Sequence, residues 1–141
     1  MTKRIIYTDE TGGLAIVIPS PNGKLPIEQI AANDVPKGLS FQIVDTSSIP
    51  SDRTFRNAWT KAGNGIQTDM LKAALIAHDK RRAARDAELE PLDRKATIRS
   101  EADAAEAERV VIREKYAVMQ IDIDAATDEA ELKASISGIE K

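Results

Sequence analysis

The chain has no cysteine, one histidine, few aromatic residues and, beyond residue 66, a single proline. Without cysteine there is no disulfide framework, no thiolate nucleophile and no cysteine metal site. A lone histidine, His78, has Asp79 and basic residues as its sequence neighbours and no second imidazole to share a metal or a proton relay. It reads as a partly buried helix residue. The aromatic share of 4% is low, and four of the five rings (Tyr7, Phe41, Phe55, Trp59) lie within the first 60 residues. The aromatic core is therefore expected there, with aliphatic seams holding the remainder. No apolar run is long enough to cross a bilayer, which takes about 20 residues. The opening MTKRIIYTDE lacks the apolar stretch of a secretory leader. The formal net charge of −3 argues against general affinity for nucleic acid or anionic membrane, since both depend on summed positive charge.

What is present divides near residue 66. Before it come short apolar runs punctuated by Gly and Pro; after it come Ala, charge and Leu/Ile/Val. The runs R-I-I-Y-T (4–8) and L-A-I-V-I (14–18) flank D-E-T-G-G, where Gly12 and Gly13 can adopt the positive φ of a hairpin turn. Pro26 opens P-I-E-Q-I-A-A-N, a short helix ending near Asn33, and S-F-Q-I-V-D (40–45) alternates as a third strand. The expected fold class is α+β: a small N-terminal antiparallel sheet with one short helix, then a C-terminal antiparallel helical hairpin. The expected organisation is a domain over 1–60, a Gly-containing hinge over 61–67 and a helical arm over 68–141.

Within that arm the patterns predict helices over about 69–99, 101–121 and 128–137. Thr68-Asp69 serves as the first N-cap pair, Ser100 as the second cap and Thr127-Asp128 as the third, with Gly138 as the final stop. Leu71, Leu75 and His78, with Ala74 beside them, are expected on the inner stripe of the first helix, resumed by Leu89, Leu92 and Ala96. Pro91 either bends that helix or starts another. Val111, Ile112, Tyr116 and Met119 form the expected stripe of the second, and Leu132 and Ile136 that of the third. Residues 72–99 carry eight Lys/Arg against five Asp/Glu, while residues 100–132 carry three against ten. The two arms are expected to lie antiparallel with opposite charges flanking a shared apolar seam.

No motif carries chemistry. G-N-G (63–65) is too short for a phosphate loop and lacks its Lys-Ser/Thr ending; the acids Asp122, Asp124, Asp128, Glu129 and Glu131 lack the glycine of a calcium loop. K-R-R-A-A-R (80–85) is interleaved with Asp79, Asp86, Glu88 and Glu90 and reads as a solvated or acid-paired face. No catalytic residue, cofactor or metal is expected. The string D-R-T-F-R-N-A-W (52–59) is different, because Arg and aromatic residues dominate buried protein contacts. Phe55 and Trp59 either plug the small core, with Arg53 and Arg56 in surface ion pairs, or dock a partner. Arg53, Phe55, Arg56, Trp59, Leu71 and Leu75 are the candidate partner-binding residues.

At this string the chain resembles a family of small tailed-phage proteins. The resemblance rests on D-V-P-K-G-x-x-F-x-I-V-D (34–45), I-P-S-D-R-T-F-R-N-A-W (49–59), the Thr68-Asp69-Met70 helix start, I-x-H-x-x-R-R (76–82) and the ending I-D-x-A-T-D-E-A-E-L-K-A (123–134). Members look like products of the tail or tail-fibre gene region, and some are similar in layout to tail-fibre assembly proteins. What this implies is a non-enzymatic tail protein, either an assembly chaperone or adaptor or a minor virion component, with a tail or tail-fibre protein or a second copy as partner. Its implied location is the host cytoplasm during assembly, with retention in the virion as one fate. The alternative expectation is a small phage regulator binding a host protein or nucleic acid through the basic helix 72–99.

Overall fold

A computed structural model describes residues 2–63 and 65–139. The chain divides into two compact units, Met1–Asp69 and Met70–Lys141. The first contains strands β1 (Lys3–Thr8), β2 (Leu14–Val17), helix α1 (Ile27–Asp34), β3 (Phe41–Asp45), β4 (Trp59–Ala62) and β5 (Gly65–Thr68); the second contains α2 (Met70–Lys95), α3 (Ala102–Ala125) and α4 (Glu129–Ser135). The α+β class and the N-terminal antiparallel sheet are as the sequence predicts.

β1 is the middle strand of a three-stranded antiparallel sheet in the order β2-β1-β3. Asp9 shapes the β1–β2 turn: its Oδ1 accepts from Thr11 N (2.9 Å), Thr11 Oγ1 (2.6 Å) and Gly13 N (3.0 Å). Gly12 supplies the one positive φ, +82°, that a side chain would resist. Because strand side chains alternate, the neighbours Ile5 and Ile6 enter opposite faces, and both are fully buried. Ile5 meets Ala31 and Val35, with Ile27 and Ile30 of α1 packed around them. Ile6 meets Leu14, Val44 and Trp59, with Ile16, Ile49 and Ile66 alongside. The sheet is therefore sandwiched: α1 covers one face and the segment carrying Ile49, Trp59 and Ile66 covers the other.

That second cover corrects the reading of residues 61–67 as a hinge. Trp59–Ala62 pairs antiparallel with Gly65–Thr68, Trp59 opposite Thr68, as a two-stranded hairpin. Asn64, in the middle of G-N-G, lies outside the described residues. The hairpin forms because Trp59 and Ile66 each have an apolar site to fill on the neighbouring sheet, which local propensity does not report.

In the second unit, three cross-helix polar contacts, two of them ion pairs, fix the orientation of α2 and α3. His78 Nε2 lies 2.8 Å from Asp124 Oδ1, Lys115 Nζ lies 2.9 Å from Glu88 Oε1, and Arg109 Nε lies 3.0 Å from Asp93 Oδ1. Partners ascend on one helix as they descend on the other, so the hairpin is antiparallel. α4 packs against both helices and buries Leu132 and Ile136. Its cap is reciprocal: Asp128 Oδ1 accepts from Glu131 N (2.7 Å), and Glu131 Oε2 accepts from Thr127 N (2.6 Å) and Thr127 Oγ1 (3.0 Å).

Several local expectations are corrected. α2 ends at Lys95 rather than near 99, and it runs through Pro91, whose missing N–H forgoes one ladder bond. Ser100 is not the cap of α3; Glu101 precedes it in a helical conformation (φ −113°, ψ −7°) without a side-chain cap bond. α3 extends to Ala125, beyond the expected 121. α4 stops at Ser135, three residues before Gly138.

The buried stripe of α2 also differs. It comprises Ala73, Ala77, Arg81 and Leu92, whereas Leu71 and Leu75 are 82% and 61% exposed. Leu71 and Ala73 are about 200° apart around a helix, so only one of their stripes can turn inward. The leucine stripe runs on into Asp79, Arg82 and Asp86, while the alanine stripe runs on through Ala84 to Leu92. Only the second stays compatible with packing along its length. In α3 the inward residues are Ala105, Tyr116, Met119 and Ile123, and Val111 points to solvent.

Candidate interaction surfaces

The R-T-F-R-N-A-W string folds as a turn, a short 3-10 segment and the start of a strand. Asp52 Oδ1 accepts from Thr54 N (2.9 Å) and Thr54 Oγ1 (2.6 Å), and residues Arg56–Ala58 form the 3-10 segment before Trp59 turns extended. Phe55 and Trp59 are 0% and 1% exposed. They offer no surface to a partner while the chain is folded, which is the core alternative of the two weighed above. Arg56 is structural too: its Nη2 donates to Leu14 O (3.0 Å), and its guanidinium carbon lies 5.2 Å from the Trp59 ring centroid. It joins β2 to the segment that covers the sheet. The Trp59 indole N–H, by contrast, is buried without a hydrogen-bond partner.

Of the four candidate partner-binding residues in this string, Arg53 is the exposed one. It lines a cleft of about 510 Å³ together with Arg4, Ile16, Ile18, Ser47 and Ile49. Arg53 is exposed, and Ile18 is an exposed aliphatic beside it.

The helical unit exposes more apolar surface. On α2 this is Leu71 and Leu75. On α3 it is Val111, Val118 and Ile121, at 64%, 58% and 66% exposure, with Val110 at 42% beside them. Sequence reasoning missed the α3 face because Val111 was read as part of the inner stripe. The signal that would have separated the two was the spacing of Val111, Val118 and Ile121, seven and then three residues apart, against that of Ile112, Tyr116 and Met119.

Electrostatics within the helical hairpin centre on Glu88, Lys115 and Tyr116. The Lys115 hydrogen bond holds the Glu88 carboxyl below the usual glutamate range against the opposing effect of burial, and the same bond holds Lys115 above the usual lysine range. Burial pushes the Tyr116 hydroxyl up, with the Glu88 carboxylate adding to it. Arg81, 5% exposed on α2, is lowered from the usual arginine range by burial first and then by Arg82 and Arg85, while Asp124 opposes this.

The expected opposite-charge seam is realised in mixed sense, with His78 of α2 meeting Asp124 of α3 as expected and the other two contacts reversed. Two of the cross-helix pairs take the acid from the basic helix, Glu88 and Asp93, and the base from the acidic one, Lys115 and Arg109. Much of the basic excess of α2 is neutralised locally, Arg82 by Asp79 (2.7 Å), Arg85 by Asp86 (3.3 Å) and Arg94 by Glu90 (3.6 Å). His78 meets one carboxylate, Asp124, and among the described residues no group of three or more His, Cys, Asp or Glu is placed to hold a metal ion. No described helix is long and apolar enough to cross a membrane. Compared with protein-family models, curated proteins and solved structures, the chain matches none.

Proposed function

We propose that the protein is a non-enzymatic component of the tail or tail-fibre region of a tailed phage, acting by protein–protein binding. Its role on this reading is that of an assembly chaperone or adaptor, or of a minor structural part of the virion, and it works in the host cytoplasm during assembly. The phage assignment rests on the ordered motifs of the sequence. The binding mode rests on one observation, the exposed aliphatic residues of the helical unit, Leu71 and Leu75 on α2 and Val111, Val118 and Ile121 on α3. Clusters of this kind on a soluble surface mark contact sites, because covering them removes apolar area from water at about 25 cal/mol per Å².

The regulator alternative has less support. A nucleic-acid surface on α2 needs free positive charge, and Arg82, Arg85 and Arg94 are already paired with acids of their own helix. Light scattering of the purified protein, alone and mixed with the tail-fibre protein of the same genome, tests the reading. A complex of fixed stoichiometry supports it. Failure to associate with the fibre or any tail protein, together with a salt-resistant gel shift on DNA or RNA, would overturn it.

A further inference from the structure

α3 carries two seams. The inner one runs through Ala105, Arg109, Ile112, Tyr116, Met119 and Ile123, each buried or half-buried. The outer one runs through Ala104, Ala107, Val111, Glu114, Val118, Ile121 and Ala125, alternately three and four residues apart, and every member is exposed. Alternating three and four is the a/d spacing by which one helix receives another. A single helix with heptad seams on two faces is built to be the middle member of a helical layer. α2 packs along the inner seam, and α4 reaches α3 only at its C-terminal end, where Asp122 and Ala125 line a hollow with Glu131, Ala134 and Ser135, so the stretch through Val111 and Val118 is left uncovered.

Charge selects the occupant. Glu108 and Asp122 follow directly on seam positions, Glu114 stands within the seam, and none of the three has a cation within ion-pair distance among the described residues. The nearby bases are committed elsewhere: Lys115 to Glu88, Arg113 to Glu106, and Arg109 to Asp93 and Glu106. The outer face is therefore an apolar stripe with an acidic rim. A second copy of α3 would bring acid against acid and place Glu114 in the joint seam, and an anionic membrane would be repelled in the same way. A helix with apolar a and d positions and Lys or Arg beside them satisfies both the stripe and the rim.

We infer that the outer face of α3 docks a basic amphipathic helix of a partner protein, through Val111, Val118 and Ile121 with Glu108, Glu114 and Asp122 as the charged guides. This rests on the protein-binding reading above and names the chemistry of the partner.

The test uses the full chain and two synthetic three-heptad peptides with Leu at every a and d position, one with Lys and one with Glu at e and g, followed by fluorescence anisotropy. The Lys peptide binds, and the Glu peptide binds at least about tenfold more weakly. Val118→Ser with Ile121→Ser weakens the Lys peptide by about tenfold or more while leaving the thermal melt unchanged, because both side chains are solvent-exposed. Glu108→Lys with Glu114→Lys shifts the preference toward the Glu peptide.

Equal binding of both peptides, or of neither, overturns the inference. So does Lys-peptide binding that survives the Val118/Ile121 change, which would be charge alone, and so does a self-dimer that the same change dissociates. Binding of the Lys peptide without any association with a fibre or tail protein would sink the phage-tail reading and leave this docking face standing. The converse result would do the reverse.

Discussion

Lys115 on α3 holds Glu88 on α2 with both carboxylate oxygens, at 2.9 and 3.1 Å from its Nζ. The pair sits between the other two cross-helix contacts and beside the buried Tyr116 ring, over which the Lys115 ammonium lies at 4.8 Å. It therefore fixes the register of the hairpin at the point where the aromatic side chain is inserted.

The pH dependence of the hairpin follows from this pair. Glu88 is depressed when folded, so its contribution is present above the ordinary glutamate pKa of about 4.3 and disappears as the pH falls through the lower folded value. Lys115 is raised, so its contribution is present below the ordinary lysine pKa of about 10.4 and disappears as the pH rises through the higher folded value. With side chains 41% and 45% exposed the pair is well screened, and we expect about 0.2–1 kcal/mol at neutral pH. Urea denaturation of the native chain and of Glu88→Gln should differ by that amount near neutrality and converge in strong acid. A difference that stays constant down to about pH 2, below any ordinary carboxylate titration, would remove the pair from the account.

The parts of the fold written in short-range pattern were legible in the sequence. Alternation gives β1, β2 and β3, and Asp128 three residues before Glu131 announces the cap of α4. What was hidden depends on tertiary contact. The strands around G-N-G are four residues each and exist because Trp59 and Ile66 fill the uncovered face of another sheet. The charge excess of each arm was counted correctly, but a net count does not reveal that Arg82 and Arg94 are neutralised within their own helix. Of the candidate site, Leu71 and Leu75 are exposed because the alanine stripe of α2, and not the leucine stripe, turns inward, a choice that helical spacing alone does not make.

Trp59 anchors the second face of the N-terminal sheet, so Trp59→Ala should destabilise the chain by about 3–5 kcal/mol, the usual cost of emptying a large aromatic site. Trp59→Phe should cost about half of that or less, because the indole N–H has no hydrogen bond to lose and only volume is missing. Circular dichroism in urea is the appropriate readout, since Trp59 is the only tryptophan and the mutants have no intrinsic indole signal. Equal costs for the two substitutions would mean that the indole N–H is bonded after all.

Asp128 and Glu131 cap α4 from both directions, and Leu132, 0% exposed, is the residue the cap positions. Asp128→Ala should cost about 1 kcal/mol, and Asp128→Asn, which keeps an acceptor oxygen, a few tenths. Hydrogen exchange at the Glu131 and Leu132 amides should rise in the alanine variant before any global loss of structure is seen. Unchanged exchange at these amides would show that α4 is held by Leu132 and Ile136 alone.

The two stripes of α2 make opposite predictions for substitutions that look alike. Leu71→Ser and Leu75→Ser remove large apolar side chains, but from positions 82% and 61% exposed, so each should change stability by no more than about 0.5 kcal/mol. Ala73→Leu and Ala77→Leu add to the apolar character of the helix, yet both alanines are 0% exposed, and an inserted isobutyl group has nowhere to go without displacing its neighbours. Each should cost about 1–3 kcal/mol. Thermal melts of the four variants decide between the alanine face and the leucine face. A chain damaged by the serine substitutions and indifferent to the leucine ones would have α2 rotated by half a turn, and it would withdraw the leucines from any docking surface.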